Sequence, residues 1–255
     1  VPQTIDPRLL LQLPADRRAH LFAQLNGLVT PQRLQRMDAV LTARTAHITV
    51  VFEDVYHPHN ASAVLRTCEC LGLQDVHVVE DEKSFRPARR IARGSARWLT
   101  MHRWAGGDAG ADVGECLRSL REQGYSILAT SPAEDAVPLD EVSLEKPLAV
   151  CFGTEETGLS PAAFAAADVR VTIPTPGFTR SLNVSVTAAL VLYHLAGRLR
   201  EGEAAGWQLP AARCDDLRLM WLADESRSSR GLAREALREA GLLPPQTPFF
   251  RDRPR

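Results

Sequence analysis

The apolar positions near the start of the chain fall at helical spacing. Leu9, Leu10, Leu11 and Leu13 precede Pro14-Ala15-Asp16, and Leu21, Phe22, Leu25 and Leu28 follow one face of a helix. Thr30-Pro31 has the form of an N-cap followed by proline at the first helical position. The helix it opens carries Leu34, Met37, Val40 and Leu41 on one face, with Arg33, Arg36 and Arg44 mostly off it. The period then changes. Residues 48–52 form a compact β-branched run, the mark of a buried strand, and 75–79, 126–130, 148–152 and 169–173 read the same way. Helices are expected between them. One is capped by Asn60 and carries Ala61, Val64, Leu65, Cys68 and Leu71; another covers about 111–123. A short one is capped by Ser160, and a long apolar one covers 183–199. Strands alternating with helices predict an α/β fold with a mostly parallel sheet flanked by helices. After Trp207 the chain turns polar, with a helix expected over about 215–240, and the proline-rich 244–255 reads as a frayed tail.

Composition narrows the class. A chain of 255 residues is one domain with extensions or two small ones. Its 45% hydrophobic and 24% charged residues exclude wholesale disorder. No apolar run reaches the roughly 18 residues of a membrane span, so no membrane partner is expected. Residues 1–6 lack a basic segment followed by an apolar one, so no secretory leader is expected. The cysteines are odd in number and scattered, which points to a reduced, cytoplasmic protein.

A formal net charge of −1 argues against a generic polyanion binder. Charge is nevertheless uneven, with both ends basic and the middle acidic. Lys83 and Lys146 are the sole lysines among 30 basic residues. The planar guanidinium suits phosphate, although a composition bias gives the same count. From Lys83 to Arg103 there are basic residues and no acid, including Arg86, Arg89, Arg90, Arg93 and Arg97. Such a run is either a solvated face or a nucleic-acid contact.

Ligands of open α/β sheets bind beyond the carboxyl ends of the strands, and three polar loops follow predicted strands here. The first runs from Glu53 to Asn60 and into a helix bearing Arg66. Asn60 has a plain role as N-cap. Ser62, Arg66 and Glu69 share one polar stripe. A solvated face accounts for Glu69 better than for an arginine so near a His/Asn-rich loop. His57 and His59 lack a third ligand nearby, so no metal is expected. The second loop, Phe152-Gly153-Thr154-Glu155-Glu156-Thr157-Gly158, sets two carboxylates beside a glycine; a plain turn needs the glycine but not the acids. The third runs from Ile173 through Pro176-Gly177, a type II turn signal, to Ser181-Leu182-Asn183. Both Ser181 and Asn183 can be caps or the rim of a pocket. Dinucleotide, P-loop and nucleophile-elbow motifs are absent from the sequence.

The stretches HNASAVLRT (Asn60 to Arg66), FGTEETG (Gly153, Glu155) and IP…SLNVS (Ile173, Ser181, Leu182, Asn183), in that order, resemble the three signature motifs of the SpoU, or TrmH, family of RNA ribose 2′-O-methyltransferases in the SPOUT superfamily. The resemblance covers about residues 30–200. It implies a homodimer whose parallel sheet ends in a deep trefoil knot over about 148–200, which topology rules alone argue against. It implies S-adenosylmethionine bent in that knot, cradled by Thr130, Gly153, Ile173 and Leu182. Arg66, Asn60, Ser181, Asn183 and Glu155 match the catalytic positions, with Arg66 supplied across the dimer. Because arginine stays protonated, an RNA phosphate bound by Arg66 is the better proton acceptor. The short N-terminal segment resembles members that methylate guanosine 18 of tRNA. Arg33, Arg36, Arg44, His59, Arg198 and Arg200 fall near their tRNA contacts. The expected division is a helical RNA-binding arm over 1–46, the methyltransferase domain over 47–200, and a helical extension over 201–255. The alternatives are a 23S rRNA ribose methyltransferase and a non-catalytic RNA-binding protein of the same fold.

Overall fold

Parallel pairing of short buried strands organises residues Ala43–Leu209, the larger of two compact units in a computed structural model. The structure describes residues 6–55, 57–80, 94–105, 113–133, 136–179 and 181–244. The helices are α1 (Ala15–Asn26), α2 (Pro31–Thr42), α3 (Pro58–Cys70), α4 (Val113–Glu122), α5 (Pro161–Ala166), α6 (Val184–Arg198), α7 (Ala211–Asp224) and α8 (Arg227–Glu239). The strands are β1 (Ile48–Glu53), β2 (Asp75–Glu80), β3 (Thr100–Ala105), β4 (Ser126–Thr130), β5 (Val137–Pro138), β6 (Leu148–Phe152) and β7 (Val169–Thr172). They form one sheet in the order β3-β2-β1-β6-β4-β7-β5. All its pairings are parallel.

Alternation along β1 explains the layers. Ile48, Val50 and Phe52 pack on one face with Ala61, Val64, Leu65 and Cys68 of α3 and Ala188, Val191, Leu192 and Leu195 of α6. Val51 points the other way, toward Cys116, Leu117 and Leu120 of α4 and Ala163 of α5. A strand covered on both faces reads as a continuous apolar run, which is why β1 is so legible in the sequence. Its Thr49 is fully buried and donates to the Asp75 carbonyl at 2.8 Å, so the hydroxyl is not left unsatisfied.

The smaller unit joins residues from both ends of the chain, Val1–Thr42 and Pro210–Arg255. The sequence reading treats these ends as separate extensions; here Leu21 and Leu25 of α1, Met37 and Leu41 of α2, Leu217 and Trp221 of α7 and Leu237 of α8 are all buried. The expected single C-terminal helix is two, because Ser226 accepts the Ser229 N–H at 3.0 Å and starts α8 afresh. The expected tail over 244–255 lies almost wholly outside the described residues.

Two strands go beyond the sequence reading. β3 is an edge strand, paired with β2 alone, and its polar positions His102 and Arg103 merge into the basic run. β5 is too short for any period to show. Of the basic run itself, Arg97 stacks over the Trp98 ring at 4.3 Å and Arg103 pairs with Glu80 at 2.8 Å. Lys83, Arg86, Arg89, Arg90 and Arg93 lie outside the described residues.

The β2–β3 pairing also buries a histidine. His77 stacks on His102 with ring centroids 4.4 Å apart and accepts the Trp104 indole N–H at Nδ1, 3.1 Å away. His102 Nε2 lies 2.9 Å from Asp75 Oδ1. Burial, and then the adjacent His102, push His77 down to about 4, against the opposing pull of Asp75. An unfolded histidine titrates near 6.5, so between about 6.5 and 4 the unfolded chain takes up a proton that the folded chain refuses. Stability is therefore unaffected by this group above pH 6.5 and falls as the pH drops through that window, by roughly 3 kcal/mol if fully expressed. Denaturant unfolding at pH 7.5 and 4.5 should show a larger loss for the wild type than for His77→Gln. Equal losses would contradict this account.

Candidate active site

The strands run parallel, so their carboxyl ends lie along one edge of the sheet and the loops that follow them are neighbours. Pairing of Phe52 with Phe152 sets the loop after β1 beside the loop after β6. Thr130 and Val171 are paired at the end of β4, next along the same edge.

After β1 the backbone turns sharply. Asp54 has φ of 53°, the left-handed region unusual for a residue with a side chain, and its N–H reaches the Val79 carbonyl at 3.2 Å. Pro58 then occupies the first turn of α3 with His57 as N-cap, so Asn60 is not the cap that the sequence reading expects. Because proline needs no N–H partner at that position, the helix starts three residues early and the Asn60 amide is released for another role.

That role is visible. Asn60 Nδ2 donates to Glu155 Oε1 in the loop after β6. Asn183 Nδ2 donates to the same Glu155 oxygen at 3.2 Å and to Asn60 Oδ1 at 3.3 Å. The other end of Asn183 caps α6, its Oδ1 accepting the Ser185 N–H at 2.9 Å and the Ser185 hydroxyl at 2.6 Å. One asparagine thus serves both as helix cap and as site residue. The three polar loops are tied together through Asn60, Glu155 and Asn183, one from each. Among the described residues no cation pairs with Glu155, whose carboxylate is held by amide donors alone.

The loop carrying Glu155 is pinched at its base. Thr154 and Gly158 exchange backbone hydrogen bonds at 3.1 Å each way, and the Thr154 hydroxyl oxygen accepts the Thr157 N–H at 3.0 Å. A Cβ on Gly153 would lie 2.1 Å from the Gly158 carbonyl oxygen, so only glycine permits this closure. His57, His59, Asn60, Thr154, Glu155 and Glu156 line an open cleft of about 260 Å³.

The expected cradle residues stand at neighbouring strand ends. Thr130 closes β4 and donates its hydroxyl to the Cys151 carbonyl at 2.8 Å. Gly153 is buried just past β6, Ile173 is half-buried just past β7, and Leu182 is exposed before α6. Ser181 is exposed, two residues before Asn183. Arg66 is exposed on α3, and among the described residues no hydrogen bond or ion pair engages it. The Asn60 cluster does not include it.

The expected RNA contacts divide in the structure. Arg36 and His59 are exposed. Arg33 forks onto Glu225 at 2.8 and 3.1 Å. Arg198 donates to the Leu139 and Val142 carbonyls at 2.7 and 2.8 Å. Arg200 bonds the Ala196 and Leu71 carbonyls and lies 5.6 Å from the Trp207 ring centroid. Arg44 requires a correction. It is fully buried, bound to the Leu73 carbonyl and to Glu69 at 3.1 Å each, and is closed to any RNA phosphate. The same pair explains Glu69, which the sequence reading assigns to a solvated face. Glu53, not among the expected site residues, is buried beneath the loops and accepts the Ser160 N–H at 2.8 Å. An acid ending an otherwise apolar strand is the signal that would have found it.

Residues 47–193 match the family model described as the SpoU rRNA Methylase family. A tRNA (guanosine(18)-2′-O)-methyltransferase from Borreliella burgdorferi is 37% identical over 197 residues, covering 77% of this chain and 87% of the relative. A 23S rRNA (guanosine-2′-O-)-methyltransferase from Nitrosomonas europaea is 31% identical over 168 residues, 65% of this chain and 62% of the relative. The crystal structure of the TrmH/SpoU tRNA modifying enzyme of A. aeolicus superposes with a TM-score of 0.68 at 28% identity, covering 76% of this chain and 96% of that one. The family match spans the sheet and all three loops of the site: this chain belongs to the SpoU methylase family.

Proposed function

We propose that this protein transfers a methyl group from S-adenosylmethionine to a ribose 2′-hydroxyl of tRNA, at guanosine 18. The observation that carries the reading is the joining of Asn60, Glu155 and Asn183, one from each motif, at the carboxyl edge of the sheet. The residues present suit the cofactor. Ile173 and Leu182 offer apolar contact, the strand ends at Thr130 and Gly153 offer backbone groups, and Glu155 offers a carboxylate free of any cation among the described residues. When bound, S-adenosylmethionine supplies the electrophilic methyl group. The protein must orient the hydroxyl in line with it and dispose of a proton.

Arg66 stays protonated at working pH, so it binds the RNA phosphate beside the target ribose and stabilises the developing oxyanion while that phosphate takes the proton. Ser181 holds the ribose. Asn60 and Asn183 keep Glu155 in place. The loops around Gly153 and 173–183 belong to a trefoil knot. Arg66 reaches the site of a second subunit, consistent with its distance along α3 from the Asn60 cluster: six residues, about 9 Å of rise.

A second subunit is supported by one face of α6. Val186, Leu190 and Tyr193, with Leu182 just before the helix, are 46%, 47%, 72% and 40% exposed and share a helical stripe. A homodimer covers it. For capture of tRNA, Arg36 and His59 are the open contacts; Arg33, Arg198 and Arg200 are committed to protein partners and position the surface instead.

Incubation with labelled S-adenosylmethionine and separate tRNA and rRNA pools should label tRNA at the guanosine 18 ribose; label in rRNA alone would overturn the substrate assignment. In the same assay Arg66→Ala should lower single-turnover methyl transfer by at least about a hundredfold with cofactor binding intact, and activity within tenfold would refute its role. Leu190→Glu with Tyr193→Glu should convert a sedimenting dimer to a monomer, whereas a wild type already monomeric at micromolar concentration would contradict the dimer. Arg36→Ala should make the salt dependence of tRNA binding shallower by roughly 0.7–0.9 in log–log slope, and Arg33→Ala should change it less.

A further inference from the structure

Glu53 is 6% exposed at the carboxyl end of β1, in the middle of the sheet. Burying a carboxyl group is costly unless a donor answers it. Among the described residues its hydrogen bond is the one from Ser160 N–H, 2.8 Å from Oε2, and no ion pair engages it. Ser160 closes the segment that begins at Gly153 and is the N-cap of α5, its own hydroxyl oxygen accepting the Ala163 N–H at 3.1 Å. The hydrogen bonds between Thr154 and Gly158 are internal to the lobe carrying Glu155 and make no contact with β1 or α3. Two carboxyl groups tie the lobe to the first loop. Glu155 receives the Asn60 amide from the first loop, and Glu53, at the start of the first loop, receives the backbone at the end of the second.

We propose that Glu53 is a positioning residue for methyl transfer, setting the tilt of the Gly153–Ser160 loop so that Glu155 meets Asn60 and Asn183. The role belongs to the hydrogen bond to Ser160 N–H rather than to negative charge. It rests on the methyltransferase reading for its activity arm alone. Glu53→Ala removes the acceptor; Glu53→Gln keeps an oxygen at the same reach. In hydrogen exchange followed by mass spectrometry, Glu53→Ala should speed exchange across 153–160 about tenfold or more, with the rest of the sheet protected as in the wild type. Glu53→Gln should exchange at the wild-type rate. In single turnover at saturating cofactor and tRNA, Glu53→Ala should be slowed at least about tenfold, and Glu53→Gln should recover to within about threefold. Unchanged exchange in Glu53→Ala, or a Glu53→Gln variant as impaired as Glu53→Ala, overturns the proposal. A wild type that labels no tRNA defeats the substrate reading instead, and the exchange arm still decides the question of Glu53.

Discussion

The parallel register of Phe52 against Phe152 is the constraint from which the site follows. These two aromatic residues are buried on the same face, so the strands cannot slip by one residue without turning each toward the opposite helix layer. With the register fixed, the chain leaves β1 and β6 at the same height, and the loops after them can exchange hydrogen bonds. The contact between Asn60 and Glu155 depends on that alignment. So does the bond from Ser160 to Glu53, which spans 107 residues of sequence.

The polar groups of the site are economical. Asn183 closes a helix with its oxygen and a site with its nitrogen; Glu155 takes two amide donors on one oxygen. Among the described residues only neutral amides hold this carboxylate, so no countercharge from them offsets its negative charge. The arginines divide differently. Those with carbonyl or carboxylate partners hold the surface in shape, and those with none in the described residues remain open to phosphate. Counting arginines by sequence position cannot separate these classes, because both follow from where the chain folds back.

Legibility tracks burial. β1, β2, β4 and β6 announce themselves as largely apolar runs because helices cover both faces of the sheet, whereas β7 shows through its β-branched residues, with Val171 alone fully buried. β3 hides because an edge strand tolerates His102 and Arg103. The three loops stand out through side chains that a turn does not need. Asn60 stands out through the motif, but its plain reading as a cap fails because Pro58 has already opened the helix. Arg44 fits neither the helical face nor the RNA contact that the resemblance implies, because α2 ends at Thr42 and beyond it the side chain turns inward. Glu53 was in plain view, yet its value lies in a backbone N–H at the far end of another loop, and no local pattern carries that information.

The smaller unit has a consequence for the order of folding. It needs Val1–Thr42 and Pro210–Arg255 together, with the whole sheet unit between them in sequence. The helices α1 and α2 precede the sheet unit in sequence, and Leu21, Leu25, Met37 and Leu41 have no apolar cover from α7 and α8 until the segment beyond Pro210 has been made. Two helices of 12 residues each are marginal alone in water. Closing a loop this long adds only a modest entropic cost once the sheet has folded and shortened the span. The partners within the sheet unit are nearer in sequence, and a folded sheet unit turns a search between segments distant in sequence into a local one.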